Sequence, residues 1–185
     1  MPRRCRQCLY SDRISTAVAA PLAVEKLADK HVLRDFDCGK PSLNDWLKRF
    51  ALQNQRMDSS QTYVVHRNSV VIGYYSLTSG AIEKQHAPAR IGKGMPDYPI
   101  GVIVMARLAR DHRAHGTGLG AALMKDALAR CASAADTIGA RAVFVHAIDA
   151  EARSFYEHFN FERCPENAMH LMLLMKDLRA NLRRL

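Results

Sequence analysis

No apolar run in this 185-residue chain approaches the ~20 residues that span a bilayer. The first twenty residues are charged and interrupted, and contain no continuous secretory core. A cytoplasmic protein without a membrane partner is expected. Disulfide chemistry is equally absent: five thiols (Cys5, Cys8, Cys38, Cys131, Cys164), odd in number and scattered in spacing, fit reduced side chains rather than a framework. Cys5-x-x-Cys8 resembles half of a zinc site, but the chain has no second pair with ligand spacing, so no metal is expected. No internal repeat, low-complexity tract, Ser-His-Asp set or Cys-His set emerges. Neither the dinucleotide fingerprint nor the Walker loop is present.

Acidic residues are in deficit: 18 against 27 lysines and arginines, for a formal net charge of +9. Arg3, Arg4, Arg6 and Arg13, less Asp12, contribute +3 of that excess, and the remainder is still basic. The field attracts polyanions, which fits either nucleic-acid contact or a generic basic surface. With 48% hydrophobic residues the chain can build one well-packed core. Residues 21–180 are expected to form a single domain, with 1–20 as a flexible arm and 181–185 as a basic tail.

What is present centres on Arg113-Ala-His-Gly116-Thr-Gly118-Leu-Gly120. It comes after an apolar run, Ile100 to Leu108, and opens a segment, Ala121 to Cys131, with helical apolar spacing. A strand, a glycine turn and a helix N-terminus aim several backbone N–H groups at one spot, where the helix dipole adds partial positive charge. Such a spot suits a phosphate, and glycine allows both close approach and φ > 0.

Around this motif, Ser42 reads as the N-cap of a helix carrying Leu43, Trp46, Leu47 and Phe50, with Asp45 completing a short-armed capping box. Residues 61–66 and 70–78 read as a β-hairpin turning at 67–69. The Pro- and Gly-rich stretch 85–99 reads as a loop with at most a short helix. Ile100 to Ala109 and Ala140 to Ala147 read as buried strands joined by the intervening helix, a parallel crossover. Asp149 is placed to cap a helix that Asn160 ends in αL, and Leu171 to Met175 reads as a last strand.

These features in order resemble the GNAT superfamily of acetyl-CoA-dependent N-acetyltransferases: Arg107-Leu108-Ala109, Arg113-x-x-Gly116-x-Gly118, Val145-His146-Ala147, Ser154-Phe155-Tyr156 and Asn160-Phe161-Glu162. Phe36-Asp-Cys38-Gly39, Leu43-x-x-Trp46-Leu47, Asn54-Gln55 and Thr62-Tyr63-Val64 further resemble the type II toxins that acetylate aminoacyl-tRNA. The resemblance covers roughly residues 22–178. It departs at Asn160, where the family usually has glycine, and at the N-terminal extension.

The resemblance implies an α+β, layered GNAT fold: a mixed, mostly antiparallel sheet with a splayed parallel central strand pair and flanking helices. Acetyl-CoA would lie along Leu108 and Ala109, with its diphosphate on Arg113, Ala114, His115, Gly116, Gly118, Leu119 and Gly120. Tyr156 would protonate the leaving sulfur. Read from the residues alone, Tyr156 fits a helix aromatic packed on the sheet better than an acid, and His146 fits a polar strand end bonded to backbone better than a proton relay. Arg90, Lys93 and Arg107 are tRNA-contact candidates by charge, with Arg110, Arg179, Arg183 and Arg184. The implied partners are aminoacyl-tRNA, a ribbon-helix-helix antitoxin, operator DNA reached only through that antitoxin, and a second copy in a homodimer. A GNAT enzyme acting on a small-molecule or protein amine remains the alternative.

Overall fold

The computed structural model describes residues 23–182. Seven strands form one sheet in the order β1-β2-β3-β4-β5-β7-β6. They are β1 (Val24–Lys26), β2 (Gln61–Arg67), β3 (Val70–Ile82), β4 (Ile100–Arg110), β5 (Ala142–His146), β6 (Glu162–Arg163) and β7 (His170–Leu174). Every pairing is antiparallel except β4 with β5, the lone parallel pair expected of the fold. The helices are α1 (Pro41–Asp45), α2 (Ala51–Arg56), α3 (Ala89–Gly92), α4 (Leu119–Ile138), α5 (Ala150–His158) and α6 (Met175–Leu182). Among the described residues no helix is long and apolar enough to cross a membrane. The expected arm, Cys5 and Cys8, and Arg183 and Arg184 lie outside those residues.

The hairpin turns on two residues, Asn68 and Ser69, both at positive φ, a backbone whose twist matches that of the flanking strands. Helix α4 buries Leu119, Leu123, Ala127, Cys131 and Ala135, one side chain every fourth residue, against one face of the sheet. Its flank is fastened by Asp126, which accepts from the Tyr75 hydroxyl and from Arg130 Nε (2.9 Å), while the Arg130 guanidinium lies 4.2 Å from the Tyr63 ring centroid. Helices α1 and α2 cover the opposite face over Val64, Val71 and Tyr74.

The first helix differs from expectation. Pro41, with its preset φ and missing N–H, takes the first helical position, so the N-cap is Lys40 and Ser42 lies inside the first turn. The wider π turn Trp46–Phe50 links α1 to α2, with the Ala51 amide donating to the Trp46 carbonyl. That turn rotates the residues after it, so Ala51 is buried while Phe50, expected on the core stripe, is 43% exposed. At the other end the last strand stops at Leu174, and Met175 begins α6, a helix the apolar pattern of the strand hides.

Gly73 sets how closely α4 approaches the sheet. A Cβ there would stand 2.8 Å from Leu123 Cδ1 and 3.2 Å from Leu119 Cδ2, both in the first turns of α4. Gly73→Ala should cost about 1 kcal/mol or more by overpacking, read as a lowered denaturation midpoint. An unchanged midpoint would show that the leucines yield freely.

Candidate functional site

The parallel register of β4 with β5 ends at Met105↔Val145. At that point β3 pairs Leu77 with Met105 and Ser76 with Arg107, so Ala106 is an extra residue on β4. Such a bulge bends its strand and sharpens the local twist, and here it turns Ala106–Arg110 away from β5. The Arg107 guanidinium donates to the Ala106 carbonyl (2.7 Å), satisfying the bulged residue. Beyond the bulge, Leu108 and Ala109 pair with Tyr75 and Tyr74 on the β3 side only. Consecutive strand residues point their N–H groups to opposite sides, so one of these two amides faces the open edge.

A turn over His112–Ala114 leads from β4 to Gly116 and Gly118, both at positive φ (72° and 77°), and into α4. The amides of Arg113, Ala114 and His115 are spent inside this turn, on Asp111 Oδ1 (2.9 Å), the Asp111 carbonyl (3.0 Å) and the His112 carbonyl (3.0 Å). They are therefore not free to receive an anion as expected. Among the described residues the amides of Gly116, Thr117, Gly118, Leu119, Gly120 and Ala121 have no acceptor. Thr117 and Ala121 escape a sequence reading because their side chains carry no signal; the free groups are main chain. A Cβ on Gly116 or Gly118 would meet nothing within 4 Å. Open space beside unpaired amides at a helix N-terminus fits a diphosphate.

The Arg113 side chain points inward. Its Nε and Nη2 each lie 2.7 Å from the Asp111 carboxylate, and Nη2 also reaches the Asp35 carbonyl (3.0 Å). Asp111 is fully buried and accepts in addition from the Asp37 amide (3.1 Å). Asp37 Oδ1 in turn accepts from the Gly39 amide and from Asn44 Nδ2. The glycine loop is thus tied to the segment that precedes α1.

Between them opens a cleft of about 360 Å³. Leu108, Ala109, Arg110, Gly120 and Tyr156 line it, as do Cys38, Lys40 and Leu43. Lys40 Nζ meets Asp149 Oδ2 at 2.7 Å across its rim, while Asp149 Oδ1 caps α5 through the Ala152 amide (2.8 Å), as the sequence pattern predicts. Tyr156 is 6% exposed, packs against Phe155 and Phe161, and its hydroxyl has no hydrogen-bond partner among the described residues. Burial pushes its phenol up to about 12, so it stays protonated at neutral pH. Arg110 donates to His115 Nδ1 (2.8 Å) at the glycine end of the cleft. His146 is exposed at the end of β5 and stacks edge-on with His170 at 4.7 Å, outside the cleft lining.

The other charge-based candidates scatter. Arg90 is held between Glu162 (2.6 Å) and Asp177, so its charge is already matched. Arg179 pairs with Asp136 (2.6 Å). Lys93 gives its carbonyl to Arg141 (3.2 Å). Arg107 lies at the bulge beside the cleft, 5.4 Å from the Trp46 ring centroid.

A cluster that sequence spacing cannot reveal joins Glu25, His31 and His66. Glu25 Oε1 lies 2.8 Å and 2.6 Å from the two Nε2 atoms, and Lys30 Nζ is 2.9 Å away. Each Nδ1 accepts a backbone N–H, from Ala28 and Ser69, so the protons sit on Nε2. That tautomer makes both rings donors to Glu25 and argues against a cation there.

Residues 58–163 match the acetyltransferase (GNAT) domain family. The chain belongs to the GNAT family. It is 46% identical over 158 residues, 85% of its length, to the tRNA-acetylating toxin of Mycobacterium tuberculosis (strain ATCC 25618 / H37Rv), of which it covers 95%. Among solved structures, AtaT complexed with acetyl-methionyl-tRNAfMet is 28% identical with a TM-score of 0.81, over 87% of this chain and 99% of that one. A tyrosine-to-phenylalanine mutant of AtaT bound to the C-terminus of the antitoxin AtaR and acetyl-CoA is 27% identical with a TM-score of 0.75, over 88% and 99%. Acetyl-CoA is the acyl donor of this GNAT family.

The buried latch makes an acid-stability prediction. Burial raises the Asp111 carboxyl, but hydrogen bonds from the Arg113 side chain and from the amides of Arg113 and Asp37 outweigh it and hold it at about 2. Lys30, His31 and His66 likewise hold Glu25 at about 2. Both values lie below the unfolded carboxyl range of about 4. These groups therefore stabilise the fold above pH ~4, and that contribution disappears as pH falls toward ~2. Circular dichroism should show stability lost in this window, and Asp111→Asn should shrink the acid-dependent part. A variant as acid-sensitive as the parent would exclude Asp111 as a source.

Proposed function

We propose that this chain transfers the acetyl group of acetyl-CoA to the α-amino group of amino acids esterified to tRNA. One observation carries the acceptor: 46% identity along almost the whole of a relative named as a tRNA-acetylating toxin. The cleft itself is lined by both signs, Lys40 and Arg110 against Asp149 and Glu151, so the support for a polyanionic acceptor comes from the chain's formal net charge of +9.

Acetyl-CoA supplies an activated thioester carbonyl. The free amides from Gly116 to Ala121 bind its diphosphate, with Gly118, Leu119 and Gly120 at the start of α4 adding the helix dipole. Arg113, Ala114 and His115 act by shaping the turn, through Asp111 and His112. The open edge at Leu108 and Ala109 receives the thioester arm, and its edge-facing N–H stabilises the oxyanion formed when the amine adds. A free α-amino group titrates at about 7.7 to 8.0, and the adjacent ester lowers it further, so the nucleophile arrives largely neutral without a dedicated base. Tyr156, protonated and otherwise unpartnered, donates its proton to the thiolate as the carbon–sulfur bond breaks, and the proton shed by the attacking nitrogen, carried through water, restores the phenol.

N-acetylation removes the nucleophile of peptide-bond formation, so translation stalls. A cognate ribbon-helix-helix antitoxin neutralises the enzyme with its tail, and the pair reaches operator DNA through the antitoxin. The enzyme itself acts as a homodimer.

Purified protein incubated with radiolabelled acetyl-CoA and total aminoacyl-tRNA should place the label on tRNA. Label on proteins or polyamines instead would overturn the acceptor. Tyr156→Phe should bind acetyl-CoA yet turn over about tenfold slower or worse, and near-normal turnover would remove the acid role. Gly118→Ala, which forces a side chain into a left-handed backbone at a cost of roughly 1–2 kcal/mol, should weaken acetyl-CoA binding in calorimetry. Unchanged affinity would contradict the loop assignment.

A further inference from the structure

The π turn Trp46-Leu-Lys-Arg-Phe50 stands apart from the acetyl-CoA side of the cleft. It begins one turn after Leu43, which lines the cleft, and Trp46 sits beside Arg107, the neighbour of Leu108. Trp46 is half-buried and stacks on Tyr74 with ring centroids 5.9 Å apart and planes within 13°. Phe50 is 43% exposed because the π turn rotates it off the core, and the Arg49 guanidinium lies 5.4 Å from its centroid. No carboxylate lies within ion-pair distance of Lys48, Arg49 or Arg107 among the described residues, a condition shared with Lys26, Arg67, Lys84 and Lys125; these three differ in lying on or against the turn that carries Trp46 and Phe50. Half-buried Trp46, which carries Arg107 over its ring, and exposed Phe50 are interleaved with three unmatched cations on and beside an irregular helical turn at an acetyl-transfer cleft, the composition of a single-strand binding surface. Aromatic faces stack bases without regard to sequence, and the cations track the phosphates. π turns inside helices also concentrate at functional sites.

We infer that Trp46, with Lys48, Arg49 and Phe50, forms the platform on which the unpaired 3′ end of the tRNA lies, its terminal base taking the place over the Trp46 ring that the Arg107 guanidinium now holds and its phosphates facing Lys48, Arg49 and the displaced Arg107. The inference rests on the aminoacyl-tRNA reading above. It explains how an ester at the end of a flexible strand is held long enough for its amine to meet the open edge at Leu108: stacking fixes the base, and the cleft receives the esterified amino acid.

Trp46 is the single tryptophan of the chain, so its emission reports this surface alone. Titrating unmodified protein, saturated with acetyl-CoA, with a hairpin RNA ending in an unpaired CCA should quench that emission. The same hairpin with a blunt end should not. Trp46→Ala should raise KM for aminoacyl-tRNA about fivefold or more, the lower bound for one lost base stack, without changing the dissociation constant of acetyl-CoA, and Trp46→Phe should recover most of the loss. Lys48→Glu with Arg49→Glu, two exposed changes away from the core, should flatten the salt dependence of tRNA binding. Label transferred to tRNA with no quenching, or an emission that shifts with protein concentration rather than with RNA, would overturn this platform while leaving the acceptor intact. Absence of label on tRNA would instead overturn the acceptor assignment itself.

Discussion

The divergence of β4 from β5 is the constraint on which the site depends. A parallel pair that stayed in register would close its hydrogen bonds and leave no room for a ligand arm. The inserted Ala106 prevents this by bending one strand at the point where the ladder ends, and Arg107 offsets the bulged carbonyl with a charge-assisted hydrogen bond. Edge groups that would be a liability on an ordinary strand become a binding surface, protected from other chains by the walls of the cleft.

The second requirement is that two loops keep fixed positions on either side of that opening. Asp111 meets it from the interior. A buried carboxylate without partners would be costly, whereas this one is met by both ends of an arginine fork and two amides. The residue that looks most like a phosphate ligand in the motif, Arg113, is thereby occupied as a strut. The loop keeps its free amides in the next six residues because the preceding three are consumed in making the turn.

Much of this was legible in the residues themselves. Local chemistry writes clear signals: glycines at positions of positive φ, Asp149 three residues before the amide it caps, Asn160 at a φ of 64°, and a helix whose apolar side chains recur every fourth residue. The parallel strands with their intervening helix came from the same patterns. What stayed hidden depends on partners far away in the chain. The bulge at Ala106 exists only in the pairing of β4 with β3. The π turn arises where α1 and α2 settle on Tyr74, and the inward turn of Arg113 needs Asp35 and Asp37, more than seventy residues earlier. Glu25, His31 and His66 converge from two strands and a turn. Charge alone ranked Arg90 beside Arg107, although only a folded chain shows that one is neutralised and the other is not.

The contact between Lys40 and Asp149 bears on how an acceptor gains admission. Both side chains are partly solvated, so water screens the pair and parting it costs little. The oxygen that caps α5 is the other one of the carboxylate. A visitor can therefore take the lysine for its own phosphate while the helix start stays tied, and the doorway widens by the swing of a single side chain with the surrounding backbone at rest.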